Sequence, residues 1–153
     1  MGRIFNRRNV EIDMPNLIIG GKHSDERGEL LFNNNFDTSE IKRIYIIEHK
    51  NNSFERGWQG HKREQRWFSA MKGSFIIKLI AVDDWSTPSK NLTPMEYVLE
   101  GTEFNVLHVP AGYITSIRSI KDESKLMVMS DYFINEINDE YRFPIDYFIR
   151  KNK

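Results

Sequence analysis

The sequence predicts a mostly β fold, and three observations carry that expectation. Runs rich in β-branched and aromatic residues recur at Ile41 to Ile47, Trp67 to Met71, Phe75 to Val82, Phe104 to Val109 and Leu126 to Phe133, each of strand length. Between them stand turn formers: Asn51-Asn52-Ser53, Lys72-Gly73, the stretch Ser86 to Pro94 holding Pro88 and Pro94, and Pro110-Ala111-Gly112. No long window keeps the helical apolar period, and only Asn135 to Tyr141 has the composition for a helical turn or two. Short strands at roughly ten-residue spacing point to a sandwich, a jelly roll or a barrel, and the pattern alone leaves those three open.

Composition narrows the class further. A chain of 153 residues is expected to form one domain over 1–153, with 39% hydrophobic and 12% aromatic residues to fill a core or line a pocket. Lys plus Arg number 22 and Asp plus Glu number 22, so no global field draws the protein to nucleic acid or an anionic membrane, and any anion site must be local. The absence of cysteine excludes disulfides, thiolate nucleophiles and Cys-ligated zinc. No apolar stretch approaches membrane-spanning length, and Arg3, Arg7 and Arg8 precede no apolar segment of a leader, so a cytoplasmic protein is expected.

The most informative stretch is Arg56-Gly57-Trp58-Gln59-Gly60-His61-Lys62-Arg63-Glu64-Gln65-Arg66-Trp67-Phe68. On a strand, Gln59, His61 and Arg63 share one face while Trp58, Gly60 and Lys62 take the other. One face therefore carries a hydrogen-bonding row.

Arg-Gly-x-x-x-His-Lys, followed by Gln65 and Gly73-Ser74, resembles the first cupin motif of dTDP-sugar 3,4-ketoisomerases and their WxcM-like relatives. Upstream, Asp25-Glu26-Arg27-Gly28-Glu29-Leu30 and Ile41-Lys42-Arg43-Ile44-Tyr45-Ile46-Ile47 are similar to two further segments of that family, in the same order. Downstream, Val109 to Tyr113 resembles the second motif, and Val128 to Tyr132 the strand that closes the pocket. The resemblance covers about residues 20 to 148. It implies an RmlC-like cupin jelly-roll barrel, a nucleotide-sugar ligand, and a homodimer in which an N-terminal segment exchanges between protomers.

Departures from the family pattern are equally informative. Gln59 stands where a first metal-type His would be, His61 matches the second, Gln65 replaces the Glu, and Thr115 or a neighbour replaces the last His. One imidazole among neutral amides is a poor site for a divalent ion, so no metal is expected, and an oxygenase or dehydratase cupin is disfavoured. Related dTDP-4-dehydrorhamnose 3,5-epimerases have a His base at the position of Gln59 and a Tyr acid that aligns best with Met127; neither Gln nor Met takes a proton near neutral pH.

Ketoisomerisation remains, with His61 as a single proton shuttle aided by Tyr45 and Gln59 in the catalytic set; an unperturbed imidazole titrates at about 6.5. Arg27 and Arg56, each in an Arg-Gly pair, are the expected diphosphate clamps, since guanidinium groups pair with phosphate oxygens, although either could be an ordinary surface arginine. Trp58 and Tyr113 are candidates for a nucleobase face, with core packing the competing use, and Gln65 and Asp131 complete the expected binding set. Trp67 and Phe68 are assigned to the core, Arg43 and Arg66 to surface or salt-bridge roles, and His23, His49 and His108 to no chemistry.

Two functions follow. One is an isomerase or epimerase of a dTDP- or UDP-linked 4-keto sugar feeding surface-polysaccharide assembly, with no cofactor. The other is a catalytically reduced cupin that binds a nucleotide sugar, or regulates a partner sugar enzyme, without turnover.

Overall fold

The structure, a computed structural model, describes residues 3–5 and 11–148. Among them every regular element is a strand: β1 (Arg3–Phe5), β2 (Glu11–Asp13), β3 (Asn16–Ile18), β4 (Gly21–Asp25), β5 (Gly28–Phe32), β6 (Arg43–His49) and β7 (Glu55–His61). The order continues with β8 (Arg66–Lys72), β9 (Ser74–Ala81), β10 (Met95–Glu100), β11 (Val106–Val109), β12 (Tyr113–Ser119), β13 (Ser124–Ser130) and β14 (Tyr141–Arg142). Two five-stranded antiparallel sheets, ordered β10-β9-β12-β7-β14 and β3-β11-β8-β13-β6, make the body, and β4 and β5 form a separate hairpin.

Side-chain alternation builds the core from both sheets. Phe75, Ile77 and Leu79 on β9, with Tyr113 and Ile117 on β12, meet Phe68 and Ala70 on β8, Leu107 and Val109 on β11, and Leu126 and Val128 on β13. Every second residue points inward, and burying each large apolar side chain contributes roughly 1.5–3 kcal/mol. The opposite parity covers the outer faces. Trp58, Ile80, Val82, Ile114 and Phe148 cluster on one sheet, and Trp67, Val106 and Met129 on the other. Gly60 is required in the first cluster, because a Cβ there would lie 2.7 Å from Ile114 Cγ1 and 2.8 Å from the Trp85 ring.

The five expected runs fall on β6, β8, β9, β11 and β13, with shifted ends. Ile41 sits in a turn, its N–H donating to Thr38 O, so β6 starts at Arg43. Phe104 has φ 47°, a left-handed conformation that keeps β11 from starting before Val106. The helical turn expected at Asn135 to Tyr141 is absent. Asn135 is itself left-handed at φ 62°, and Tyr141 and Arg142 extend as β14 against Gly60 and Gln59. That pairing supplies the backbone partners a helix would have supplied.

In the N-terminal segment β1 pairs with β2 of the same chain. Residues 6–10, which hold Arg7 and Arg8, and the basic tail Arg150 to Lys153 lie outside the described residues, and so does the path that strand exchange would take. Among the described residues no helix is long and apolar enough to cross a membrane.

Candidate active site

The site begins where β7 ends. His61 is the last residue of β7, and the turn Lys62 to Gln65 leads into β8. Backbone N–H groups turned away from water need partners, and for this part-buried turn the side chain of Asp139 supplies them: its carboxylate accepts from the N–H of Lys62 (3.1 Å), Arg63 (2.8 Å) and Glu64 (2.7 Å). Gln65 N–H, next in line, turns instead to Asp131 Oδ1 at 2.9 Å. The tip of the β11–β12 connection ties in as well, Gly112 N–H donating to His61 O at 2.9 Å. His61 is thereby anchored on both sides.

A cavity of about 930 Å³ opens between the sheets, lined by Tyr45 and Arg43 from β6, Arg56, Gln59 and His61 from β7, Arg66 from β8, Thr115 from β12, and the segment 134–142. Arg56 reaches it through an irregularity of β7. Strict alternation from His61 would send Arg56 outward with Trp58. Thr115 pairs with Gln59 but Ile117 pairs with Arg56, so one extra residue bulges from β7 and returns Arg56 to the inner face.

His61 is almost wholly buried. Its Nδ1 lies 3.1 Å from Asp139 O, and a carbonyl only accepts, so Nδ1 carries the hydrogen and Nε2 is left as the basic nitrogen. Desolvation, reinforced by the positive charge of Arg66, pulls the imidazole pKa down from 6.5 to about 4, against the opposing pull of the Asp139 carbonyl. A neutral imidazole is therefore the resting form across the physiological range. Beside it the Glu64 carboxylate accepts from Arg66 Nη2 at 2.7 Å and from Ser130 Oγ at 3.2 Å, and stands 3.8 Å from His61 Nδ1. Arg66 Nη1 donates to the Tyr45 hydroxyl at 2.9 Å.

Among the described residues, two other guanidinium groups face no carboxylate. Arg43 stacks over the Tyr45 ring at 5.2 Å, and its buried Nε has no hydrogen-bond partner. Arg56 donates from Nε to His49 Nε2, a neutral acceptor, at 3.0 Å. At the rim, Gln59 Nε2 donates to Glu140 Oε1, which also accepts from Arg142 at 2.7 Å. Partial burial would raise the Glu140 carboxyl, but the Arg142 guanidinium and the donating Gln59 amide outweigh it and hold the group below its usual range. The cavity thus carries an anion-seeking wall beside one uncharged base.

Among the described residues no three His, Asp or Glu groups converge as a metal site. The donors at hand also fit a cation poorly. Glu64 is committed to Arg66, His61 Nδ1 is committed to a carbonyl, and Arg43 and Arg56 face the same space.

The expected residues divide between this cavity and other places. His61, Tyr45, Gln59 and Arg56 come together here. Trp58 lies on the outer face, packed on Phe148 with Nε1 donating to Ile145 O at 3.1 Å. Tyr113 is inner-face core, its hydroxyl donating to Asp13 O at 2.8 Å, and burial pushes its pKa up. Gln65 and Asp131 bond one another on the outer face of the second sheet, where Gln65 Oε1 also meets His108 Nε2 at 2.6 Å and His108 stacks on Trp67. Glu64, not Gln65, holds the place beside His61. Met127 sits in the outer cluster with Trp67, outside the cavity. Arg27 is exposed at the β4–β5 turn, where Asp25 holds it at 2.6 Å.

Sequence reasoning missed Arg43, Glu64, Arg66, Asp139 and Glu140 as site residues. For Arg43 the signal was present, since Arg43, Tyr45 and Ile47 share one parity of β6. For Asp139 and Glu140, about eighty positions from β7, no local signal exists.

Comparison with known proteins gives the fold and the family. The chain resembles a 3,4-ketoisomerase from Helicobacter canadensis (24% identity, covering 84% of this chain and 90% of that one, TM-score 0.65). It also resembles a TDP-quinovose 3,4-ketoisomerase from Campylobacter jejuni (19%, 91% and 100%, TM-score 0.65). A third is a dTDP-4-dehydrorhamnose 3,5-epimerase from Bacillus anthracis solved with TDP and pyrophosphate (13%, 84% and 77%, TM-score 0.67). These likenesses establish the RmlC-like cupin fold. No curated protein matches the sequence. The profile of the WxcM-like, C-terminal family matches residues 11–152, and the chain belongs to that family.

Proposed function

We propose that the protein is a nucleotide-sugar isomerase, a 3,4-ketoisomerase or an epimerase acting on a dTDP- or UDP-linked 4-keto sugar, with His61 as proton shuttle and no metal. One observation carries the reading: a neutral buried imidazole with its proton fixed on Nδ1 shares a cavity with Arg43 and Arg56, two guanidinium groups unmatched by carboxylates among the described residues. Arg43 and Arg56 suit a diphosphate, and Nε2 of His61 suits proton abstraction beside a ketone.

In the proposed step Nε2 takes the proton from C3, and the bonding electrons pass to the C4 oxygen, which receives a proton from the Tyr45 hydroxyl to give an enediol. Tyr45 then recovers a proton from the C3 hydroxyl as the imidazolium returns its own to C4. The product is the 3-keto sugar, and no redox partner is consumed. Arg66, bonded to the Tyr45 hydroxyl, supports the phenolate that forms in between.

The test is incubation with freshly made dTDP-4-keto-6-deoxyglucose in heavy water, followed by NMR. Deuterium at the sugar carbons with a displaced ketone supports isomerisation. Binding with no deuterium entry supports the second reading, a catalytically reduced cupin, which is favoured by the commitment of the Gln59 amide to Glu140. A thermal-shift panel of dTDP, UDP, GDP and CDP tests the nucleotide site itself, since a ligand of the folded state alone raises its stability.

The same reading carries a single domain, a cytoplasmic location, a place in surface-polysaccharide sugar synthesis, and a homodimer. Ile44 and Ile46 support the dimer, being more than half exposed on β6, a sheet edge. In such a dimer Arg27, displayed on its hairpin, would serve a neighbouring cavity. Sedimentation at micromolar concentration giving the mass of one chain would remove the dimer.

A further inference from the structure

We infer that His49, which lies outside the cavity, is a positioning residue that aims the Arg56 guanidinium at the anionic part of the ligand. This rests on the nucleotide-sugar reading of the cavity. His49 ends β6, Arg56 lies near the start of β7, and Ser119 ends β12, so three strands converge on one buried imidazole.

The hydrogen bonds around that ring admit one arrangement. Ser119 Oγ has a single hydrogen, which it donates to Asn51 O at 3.1 Å, so toward His49 Nδ1, 3.3 Å away, it must accept. Nδ1 therefore bears the proton. On the far side Arg56 Nε–H donates to Nε2 at 3.0 Å, which requires a lone pair there. Both neighbours select the same neutral tautomer. Phe75 holds the ring from the side by an edge contact at 5.6 Å.

The consequence lies at Arg56. A free arginine samples many rotamers, and a clamp that must first be ordered binds more weakly than one already in place. His49 engages only Nε, leaving both terminal nitrogens of the fork for the cavity that Arg56 lines. A carboxylate in place of His49 would also hold the guanidinium but would neutralise it, whereas an imidazole orients it and leaves its charge for the ligand.

The experiment is calorimetric titration of dTDP into wild type, Arg56→Ala, His49→Phe, His49→Gln and Ser119→Ala, with folding of each checked by thermal melts. His49→Phe keeps the ring and its packing but loses both nitrogens; its affinity for dTDP should fall about tenfold, the scale of one hydrogen bond to a charged group. His49→Gln restores an acceptor and should recover most of that loss, which a purely structural role would not produce. Ser119→Ala should weaken binding about threefold through the loosened tautomer. With the keto sugar as substrate, His49→Phe should raise KM and leave kcat close to wild type.

The inference is overturned if His49→Phe binds dTDP as tightly as wild type while Arg56→Ala has lost affinity; the reading of the cavity survives that result. If wild type or Arg56→Ala shows that dTDP does not depend on Arg56, that part of the cavity reading falls and the inference with it. Should His49→Phe fail to fold, Ser119→Ala at wild-type affinity is the overturning result.

Discussion

Four consecutive N–H groups, from Lys62 to Gln65, separate two polar clusters that differ in almost every respect. Three of them bond to Asp139 and belong to the cavity; the fourth bonds to Asp131 and belongs to the outer face of the second sheet. On the inner side Glu64, Arg66, Tyr45 and His61 line an open space with charge still to be matched. On the outer side Gln65, Asp131 and His108 close on one another, and Trp67 covers the imidazole. Both clusters hold a histidine that burial pulls toward the neutral form. What distinguishes a candidate base from a structural one here is what each cavity holds: His61 faces Arg43, Arg56 and Arg66, whereas His108, half-buried beside a pocket without an arginine, has its Nε2 taken up by Gln65.

The strongest way to break this contrast is at the two histidines. His61→Gln should lower sugar deuterium exchange roughly 10²- to 10⁴-fold, as loss of a general base does, while His108→Gln stays within about threefold of wild type. NMR of the keto sugar in heavy water reads both, and equal losses would erase the distinction. Next come the two aspartates. Asp139→Ala removes the acceptor of three N–H groups, that of Glu64 buried and the others part-buried, and should cost about 2 kcal/mol in urea unfolding along with dTDP binding. Asp131→Ala should cost about 1–2 kcal/mol and leave dTDP affinity intact.

Acid sharpens the same comparison. The folded-state pKa of His61, about 4, lies below its ordinary 6.5, so in that interval the unfolded chain takes up a proton that the folded one refuses. Stability therefore falls as pH drops from 6.5 and the cost is complete below about 4, at most about 3 kcal/mol for this group. Unfolding of wild type and His61→Asn at pH 7 and pH 4.5 isolates the contribution, because His49 and His108 are common to both proteins. The smallest effect is expected at Trp58, where Trp58→Phe removes the bond to Ile145 O, about 1 kcal/mol, and leaves dTDP affinity within twofold. A tenfold loss there would return Trp58 to the ligand.

The fold was legible because its strands alternate. Phe75, Ile77 and Leu79 announce an inner face from sequence alone, and the ordered motifs between Arg27 and Tyr132 brought the cupin resemblance with them. The site was legible only in part. Gln59 and His61 share a parity any reader can count, but Arg56 enters through a bulge that no residue pattern announced, and the family motif that sets Gln65 in place of its Glu does not reveal that the turn puts Glu64 beside His61. Trp58 and Tyr113 stand beside motif turns yet spend their polar atoms on backbone carbonyls. Neither sheet face nor hydrogen-bond partner follows from adjacency to a motif.

The bonds of Asp139 to the turn after His61 span more than seventy positions of the chain. Forming them demands that distant stretches meet, a slow and entropically costly event, so during refolding the pocket wall should be among the late arrivals. A nascent chain halted before residue 139 could assemble most of both sheets and still have nothing to hold His61 in register. Competence for ligand thus waits on the segment around Asp139 and is withheld from any product that stops short of it.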